Sequence, residues 1–486
     1  MKQARFPAWY GIILLLVALA LRASTFGDPN VHVDETFYQT VGIAMHEQHA
    51  VPYVDVWDRK PWGLFFLYYL IAFMSYAPLA YQLVATVFAA ATAWVIGAIA
   101  SFWNRAQGGL LAGIFYLLWL EQEQGFGGQS PIFYNLFVAS AALLVLQALP
   151  DLREGKPGWR PYAAMLLGGC AITVKQTSFF ESAFLGLYCA YTLWQAPLSR
   201  RRVCTVIASW ALLGAAPMLA ISAWYWLEGY WAIYWHAMVT SNLAKPKVWL
   251  SSGIRTILMF IRLAPFLVMG VLGIPKMVSQ QRRFMGFWLL AASLGLLSVP
   301  NFYVHYALPI LVPLTIVSAG LLQGRIAGPI AMVVLAFLAF RETSVLDFEH
   351  ARRSRAAMTE LVEAVRRHDD GGPLFVYDGP FQLYHLTGHR FVSPLVFPHH
   401  LAQTIEKDVS HLSTAGEVRR VLAERPSTVV LAPQPRQDPV NWETLRPVRA
   451  YIHANCRLVA RVETPEWLLS SKMDVWADCN RHGGAK

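Results

Sequence analysis

Long apolar segments follow one another through the first 340 residues of this chain, and they restrict its fold more than any other feature. Of the 486 residues, 56% are hydrophobic and 14% are charged, which is more apolar than a soluble core requires. About 20 apolar residues in a helix cross a bilayer core of about 30 Å. Because only helices and closed barrels satisfy their own backbone groups in lipid, the pattern predicts a polytopic helical membrane bundle. Its candidate segments are 8–24, 62–77, 79–103, 107–121, 131–149, 161–175, 176–194, 203–227, 254–274, 284–300, 304–322 and 326–340.

Basic residues predict the orientation of this bundle. Cytoplasmic loops concentrate Lys and Arg, so we place inside the loops that carry Lys2, Arg5, Arg105, Arg153, Lys156, Arg160, Arg200, Arg201, Arg202, Lys276, Arg282, Arg283 and Arg325. The polar and aromatic loops then fall on the outer face, namely 28–60, 121–130, the turn near Lys175, 228–252, 301–305 and the chain after 340. We expect about 11 to 13 transmembrane helices. Because an even number of crossings would return the C-terminus to the cytoplasm, the short aromatic segment 62–77 is interpreted as re-entrant or interfacial.

The chain changes character near residue 345, where charge rises and Pro and Gly become frequent. Helical patterns cover 349–368 and 413–424, and runs typical of buried strands cover 374–377, 391–396 and 428–431. These patterns predict a soluble extracytoplasmic α/β domain at 345–486, after a transmembrane module at 1–344 whose first outer loop is 25–61. Cys456 and Cys479 lie in this domain, where an oxidising compartment would permit a disulfide, and two cysteines alone leave both states open. Cytoplasmic loops that face anionic lipid account for most of the net charge of +10, so it does not imply nucleic acid.

The first outer loop carries two neighbouring carboxylates, Asp34 and Glu35. One interpretation is an acidic helix N-terminus, since the residues from Asp34 to Met45 could form an amphipathic helix along the membrane surface. The other is that one carboxylate acts as a general base, which must reach the proton that it removes. The two interpretations are compatible.

The same loop ends with Asp58, Arg59 and Lys60, followed by Pro61. Arg59 and Lys60 could simply extend toward the membrane interface, with Pro61 at the start of the next helix. A cation beside a helix N-terminus at the membrane surface also suits a lipid phosphate. Lys175, at the outer end of another segment, offers a second such cation. We therefore retain Asp58, Arg59, Lys60 and Lys175 as candidate substrate-binding residues.

Two further outer segments carry polar residues. The first, 301–313, brings His305 and Tyr306 to the start of a helix, where a lone His is usually structural. The second, 121–131, adds Glu121 and Glu123 with a flexible, glycine-rich backbone. Both fall on the outer face with the first outer loop, so we retain His305 and Tyr306 as candidate substrate-binding residues.

In order along the chain, these pieces resemble the type C glycosyltransferases, and within them the protein mannosyltransferase and aminoarabinose transferase group. The matching residues are Asp34 and Glu35, Pro52, Tyr53 and Asp55, Asp58 with Lys60 and Pro61, Lys175, Phe302 with His305 and Tyr306, Pro309 and Pro313. The tail, with the sequence 383–388, is similar to the extracytoplasmic domain of many bacterial members. The resemblance covers nearly the whole chain.

The resemblance implies Asp34 as the base that takes a proton from the acceptor hydroxyl while the lipid phosphate leaves from the opposite face, which inverts the anomeric centre. It implies Lys60 as a contact to the leaving phosphate, with Lys175 as its partner. Two positions depart from the family pattern. Trp62 follows Pro61 where a second proline is common, and Pro131 stands where many members have an acidic residue. Glu121 or Glu123 could assume that acidic role, or the role could be absent.

The predicted protein is thus a multi-pass inverting glycosyltransferase of a bacterial inner membrane, with a cytoplasmic N-terminus and a periplasmic C-terminal domain. It uses a polyprenyl-phosphate sugar donor and a glycan, lipid or protein acceptor. Membrane lipids surround it. No residue spacing specifies a cofactor, although carboxylates beside a phosphate could hold a divalent metal. The alternative is a polytopic transporter or flippase of a lipid-linked substrate, which would carry ionisable residues near the bilayer midplane. The sugar, the acceptor and the oligomeric state stay open.

Overall fold

The structure is a computed structural model that describes residues 6–244, 249–274, 277–299, 302–342, 345, 347–465 and 470–479. Most of these residues are helical. The α-helices are α1 Tyr10–Arg22, α2 Val33–Glu47, α3 Trp62–Ala72, α4 Pro78–Ala100, α5 Ala106–Gln122, α6 Ser130–Arg153, α7 Arg160–Val174, α8 Phe179–Trp194, α9 Arg200–Leu227, α10 Trp231–Trp235, α11 Ser241–Leu243, α12 Trp249–Gly273, α13 Ser279–Leu297, α14 Leu308–Leu322, α15 Ala327–Glu342, α16 Phe348–Arg367, α17 Leu383–Thr387, α18 Pro398–Ala402, α19 Thr414–Ala423 and α20 Trp442–Asn455. The strands are β1 Leu374–Asp378, β2 Thr428–Leu431, β3 Arg457–Pro465 and β4 Ser470–Ala477.

Contacts divide the chain into two compact units. The helical unit comprises Met1–Ser24, Gln82–Ala223 and Lys247–Leu346, and the mixed unit comprises Thr25–Tyr81, Trp224–Pro246 and Asp347–Lys486. The first outer loop therefore folds together with the residues after Asp347. The domain division at residue 345 stays a prediction, and it differs from this grouping because the boundary was inferred from local composition alone.

The helical unit has the apolar character of a membrane bundle. Among the described residues, five helical segments are long and apolar enough to cross a bilayer, namely Pro78–Ala100, Ser130–Arg153, Arg200–Leu227, Gly253–Gly273 and Val304–Leu322. Large apolar side chains on α9 and α12 are exposed, among them Leu212 at 65% and Ile261 at 63%, as expected for surfaces that face lipid. The protein is a membrane protein, and the number of crossings stays a prediction.

Small residues let the helices of this unit approach closely. A Cβ atom on Gly109 of α5 would lie 2.5 Å from the carbonyl oxygen of Gly97 in α4, and one on Gly169 of α7 would lie 2.2 Å from that of Gly214 in α9. Glycines at such crossings are typical of transmembrane helix packing, where van der Waals contact replaces the hydrophobic effect as the main attraction.

The segment predicted as re-entrant or interfacial forms the 11-residue helix α3 and belongs to the mixed unit. At 1.5 Å per residue it extends about 16 Å, roughly half of a bilayer core. It packs against α2, which contains the two acidic residues at its start. Its length agrees with the interpretation that this segment does not span the membrane.

The mixed unit contains a four-stranded sheet in the order β1-β2-β4-β3. The β1–β2 pair is parallel, with Val376 opposite Val430, and the β2–β4 and β3–β4 pairs are antiparallel. Its hydrophobic core includes Phe375, Val429 and Val448, and also Trp57 from the first outer loop, which is fully buried. The small α/β fold therefore incorporates part of that loop.

Most of the predicted elements of this region are confirmed. The helices α16 and α19 and the strands β1 and β2 lie within one residue of the patterns at 349–368, 413–424, 374–377 and 428–431. The predicted strand at 391–396 is wrong, because these residues form a bend and irregular structure around Pro394, which has no N–H to donate to a ladder. Cys456, after α20, and Cys479, after β4, form a disulfide.

Candidate active site

The two carboxylates of the first outer loop begin helix α2. His32, in extended conformation, caps this helix, and its Nδ1 accepts a hydrogen bond of 3.2 Å from the backbone N–H of Asp34. Asp34 and Glu35 occupy the first turn, where negative charge interacts favourably with the helix dipole. The Glu35 side chain is fully buried, whereas the Asp34 side chain is 18% exposed. Asp34 is therefore the carboxylate that an incoming molecule can reach.

Lys60 lies beside Asp34. Its Nζ is 3.6 Å from Oδ2 of Asp34, donates a hydrogen bond of 2.7 Å to the hydroxyl of Tyr38, and lies 5.0 Å from the centre of that ring. Asp34 and Tyr38 are four residues apart on α2 and so share one face. This spacing is a signal in the sequence that could have added Tyr38 to the candidate residues.

The backbone of Lys60 is held at two points. Its N–H donates a hydrogen bond of 2.8 Å to Oδ1 of Asp58, and its carbonyl accepts a hydrogen bond of 2.9 Å from the hydroxyl of Tyr53. Tyr53 has a positive φ of 71° and is fully buried, with its ring centre 5.5 Å from that of Tyr225 and 5.8 Å from that of Tyr234. This burial raises the pKa of Tyr53 well above the ordinary value. Asp58 and Tyr53 thus fix the position from which Lys60 reaches Asp34.

Arg59 points to a different partner. Its Nη1 lies 2.8 Å from Oε2 and 3.0 Å from Oε1 of Glu406, and these side chains are only 10% and 11% exposed. The guanidinium also lies 5.7 Å from the ring centre of Trp57, whose edge contacts His400. These contacts favour a structural role for Arg59 within the mixed unit over the predicted contact with substrate.

The imidazole of His32 lies near Asp34 and Lys60, and these charges affect its protonation. Burial lowers its pKa, the Asp34 carboxylate opposes this shift, and the Lys60 ammonium adds to it. A neutral imidazole whose Nδ1 accepts a hydrogen bond keeps its remaining proton on Nε2. His32 therefore serves the helix start as an acceptor and adds no positive charge beside Asp34.

Lys175, His305 and Tyr306 come together in the helical unit. They line a cavity of about 410 Å³, counting space that opens to solvent, with Tyr134 and Glu181 among the other lining residues. Lys175 ends α7, and its Nζ lies 5.4 Å from the ring centre of Tyr306, while the rings of His305 and Tyr306 meet edge to face at 4.8 Å. The cavity thus brings a cation, an imidazole and hydroxyl groups from separate helices to one place.

The two glutamates at the end of α5 differ in their partners. Oε1 of Glu121 lies 3.7 Å from Nε of Arg22, whose guanidinium also donates to the carbonyls of Gly125 and Gly127. Glu123 is fully buried, and neither carboxylate oxygen has a hydrogen-bond partner among the residues that the structure describes. Pro131 itself lines the cavity of the helical unit. Glu121 thus pairs with Arg22. No residue is assigned to the acidic family position at which this chain has Pro131.

A metal site is not apparent from side-chain geometry. Within the described ranges, no group of three or more His, Cys, Asp or Glu residues is arranged to hold a metal ion. The question of a divalent metal therefore stays open.

Solved structures give the fold its class. No protein-family model and no curated protein sequence matches the chain. The crystal structure of ArnT from Cupriavidus metallidurans bound to undecaprenyl phosphate matches with a TM-score of 0.64 at 13% identity, covering 99% of this chain and 100% of that one. The same protein in the apo state gives a TM-score of 0.63.

The oligosaccharyltransferase AglB from Archaeoglobus fulgidus, in complex with an inhibitory peptide and a dolichol-phosphate, matches with a TM-score of 0.52 at 9% identity. That match covers 87% of this chain and 69% of the longer AglB chain. Both neighbours have the type C glycosyltransferase fold, so the fold that the sequence motifs implied is confirmed. The chain has the type C glycosyltransferase fold.

Proposed function

We propose that this protein is an integral membrane glycosyltransferase that transfers a sugar from a polyprenyl-phosphate donor to an envelope glycan, lipid or protein. It acts on the outer face of a bacterial inner membrane, with its N-terminus in the cytoplasm and residues 345–486 in the periplasm. The observation that carries the proposal is the placement of Lys60 Nζ 3.6 Å from Asp34 at the start of α2. The similarity to a fold bound to undecaprenyl phosphate supports the class of donor.

Asp34 is the general base in this proposal. It removes the proton from the acceptor hydroxyl while that oxygen attacks the anomeric carbon, and the polyprenyl phosphate leaves from the opposite face with inversion. We assign this role to Asp34 and not to Glu35 because Glu35 is fully buried. Glu35, also in the first turn of α2, then contributes negative charge that interacts favourably with the helix dipole.

Lys60 is the cation for the leaving phosphate. Negative charge grows on the phosphate as the bond to the anomeric carbon breaks, and a positioned ammonium stabilises that charge. The phosphate also competes with Asp34 for Lys60, which leaves the carboxylate available to the acceptor. Asp58 and Tyr53 keep the Lys60 backbone in place. In the helical unit, Lys175 with His305 and Tyr306 forms a second set of candidate donor contacts.

The test compares Asp34→Asn and Lys60→Met with Asp151→Asn, which changes an exposed carboxylate. Each variant is expressed in cells that lack the protein, and mass spectrometry of glycolipids and envelope glycans identifies the product. Asp34→Asn should abolish the product while the purified variant still binds donor, and Lys60→Met should weaken donor binding. A wild-type product level with folded Asp34→Asn would refute the base assignment. Protease access to the tail in vesicles of both orientations tests the topology.

The alternative function is transport or flipping of a lipid-linked substrate. Transporters place ionisable groups near the bilayer midplane, whereas the buried Arg22–Glu121 pair and Glu123 lie where α5 ends, at the predicted outer face. Movement of a fluorescent polyprenyl phosphate across sealed vesicles, without sugar transfer in any condition, would support this alternative.

A further inference from the structure

A buried carboxylate lines the cavity that contains Lys175. Glu181 is in the first turn of α8, its side chain is 3% exposed, and one oxygen accepts a hydrogen bond of 2.8 Å from Nε1 of Trp288. Trp288 comes from α13 and is fully buried. A carboxylate within a membrane bundle is costly and marks a functional site by default.

The other polar groups of this cavity suggest which ligand faces Glu181. Lys175 supplies an ammonium, and Ser130, Tyr134 and Thr177 supply hydroxyl groups around the same space. One cation, one carboxylate and several hydroxyls form a set that matches a sugar phosphate, whose anion and hydroxyl groups need opposite kinds of partner. Lys175 precedes α8 by a single 3₁₀ turn, so cation and carboxylate enter the cavity from one short stretch of chain.

We propose that Glu181, oriented by Trp288, accepts hydrogen bonds from hydroxyl groups of the donor sugar and thereby selects the sugar. The proposal rests on the proposed function, since it takes the polyprenyl-phosphate sugar as the occupant of this cavity. The oxygens of a carboxyl group accept hydrogen bonds from hydroxyl groups. A site built to bind a substrate hydroxyl also discriminates strongly against an analogue that lacks it.

The simplest alternative is that Glu181 serves only as the acceptor for Trp288. The variant Glu181→Gln separates the two roles, because the amide oxygen of Gln can still accept from the indole N–H. The substitution removes the negative charge, keeps nearly the same shape and preserves the bond to Trp288. A purely structural Glu181 would therefore tolerate Gln with unchanged ligand preference.

The experiment measures binding to the full-length protein in lipid nanodiscs. The probes are farnesyl phosphate and a panel of farnesyl-phosphate monosaccharides that differ in the configuration of each hydroxyl. The wild type should bind one sugar phosphate at least about 10-fold more tightly than farnesyl phosphate. Glu181→Gln should reduce this preference by about 10- to 100-fold and leave the affinity for farnesyl phosphate within about twofold. Lys175→Met should lower the affinity for farnesyl phosphate and for the sugar phosphate by the same factor. Glu154→Gln, which changes an exposed carboxylate, should change neither affinity.

Monodeoxy analogues of the preferred sugar locate the contact. The hydroxyl whose removal costs the wild type most should cost Glu181→Gln less than about twofold. The inference is wrong if removal of that hydroxyl costs both proteins the same affinity. It is also wrong if the wild type prefers no sugar, or if Glu181→Gln keeps the full preference of the wild type. If the wild type does not bind farnesyl phosphate, the proposed function is wrong. If Lys175→Met binds farnesyl phosphate normally, the donor phosphate does not bind in this cavity. Equal melting temperatures of wild type and Glu181→Gln exclude loss of fold as the cause.

Discussion

The ammonium group of Lys60 lies 3.6 Å from a carboxylate oxygen of Asp34, although the two residues stand at opposite ends of the first outer loop. This pair joins the start of α2 to the residues just before α3. A proposed base and a proposed phosphate contact therefore form one ion pair, and a change at either residue alters the electrostatics of the other.

Tyr38 shares Lys60 with Asp34, so Tyr38→Phe should lower activity moderately. The substitution removes one hydrogen bond of 2.7 Å and keeps the ring beneath the ammonium. A loss of about 0.5–1.5 kcal/mol corresponds to an initial rate of transfer about 2- to 10-fold below the wild type. Tyr69→Phe, on α3 in the same unit, is the matched control. An unchanged rate would show that Asp34 alone holds Lys60, and complete loss would make Tyr38 a catalytic group.

Arg59 should matter for stability more than for donor binding. Its ion pair with Glu406 is about one-tenth exposed, and breaking such a pair leaves a buried charge without its partner. Arg59→Met and Glu406→Gln should each lower the free energy of unfolding by about 3–5 kcal/mol, and the double variant should lose less than the sum. Denaturant unfolding measures these values. If Arg59→Met unfolds like the wild type but binds donor weakly, Arg59 contacts substrate, as its place beside Lys60 predicts.

The two sites show what local sequence could predict. Asp34, Lys60, Lys175 and His305 were predicted because polar groups next to hydrocarbon cost free energy unless they have partners. The structure brings Lys175 and His305 to one cavity and Lys60 to Asp34. Local pattern suffices for such residues because their chemistry departs from the apolar surroundings.

Other features depend on partners that are distant in sequence. The pairing of Arg59 with Glu406 needs the fold of the mixed unit, and no spacing along the chain predicts it. Glu181 lies inside an apolar run and lacks a local motif. Its role is inferred from its hydrogen bond to Trp288 and its place in the cavity. The antiparallel pair of β3 and β4 was not predicted because charged residues such as Arg461, Glu463 and Asp474 interrupt its apolar residues, which leaves no continuous apolar run.

The disulfide between Cys456 and Cys479 should stabilise the mixed unit. It closes a loop with a sequence separation of 23 residues, and the chain-entropy model gives such a loop about 3 kcal/mol. Cys456→Ser, Cys479→Ser or reduction should lower the unfolding free energy by about that amount. Cys204→Ser, an exposed free cysteine, is the control. Alkylation of both Cys456 and Cys479 in native, unreduced protein would contradict the pairing.

His400 should make the mixed unit sensitive to acid. The side chain is 4% exposed and lies against the edge of Trp57. Burial lowers its pKa from 6.5 to about 4, while Asp58 and Glu406 raise it and Arg59 and His399 lower it further. The unfolded chain therefore binds more protons than the folded protein between these two pKa values, so stability falls as pH decreases through this window.

The expected loss due to His400 is about 2 kcal/mol between pH 7 and pH 5. Burial lowers the pKa of His385 to about 4 as well, so the wild type has more than one acid-sensitive group. His400→Gln should remove only its own share, which flattens the dependence of unfolding free energy on pH by that amount. Asn455→Gln, at the end of α20, changes no titratable group and should leave the slope unchanged. An equal slope in wild type and His400→Gln would mean that the folded protein accepts the proton at His400 as readily as the unfolded chain does.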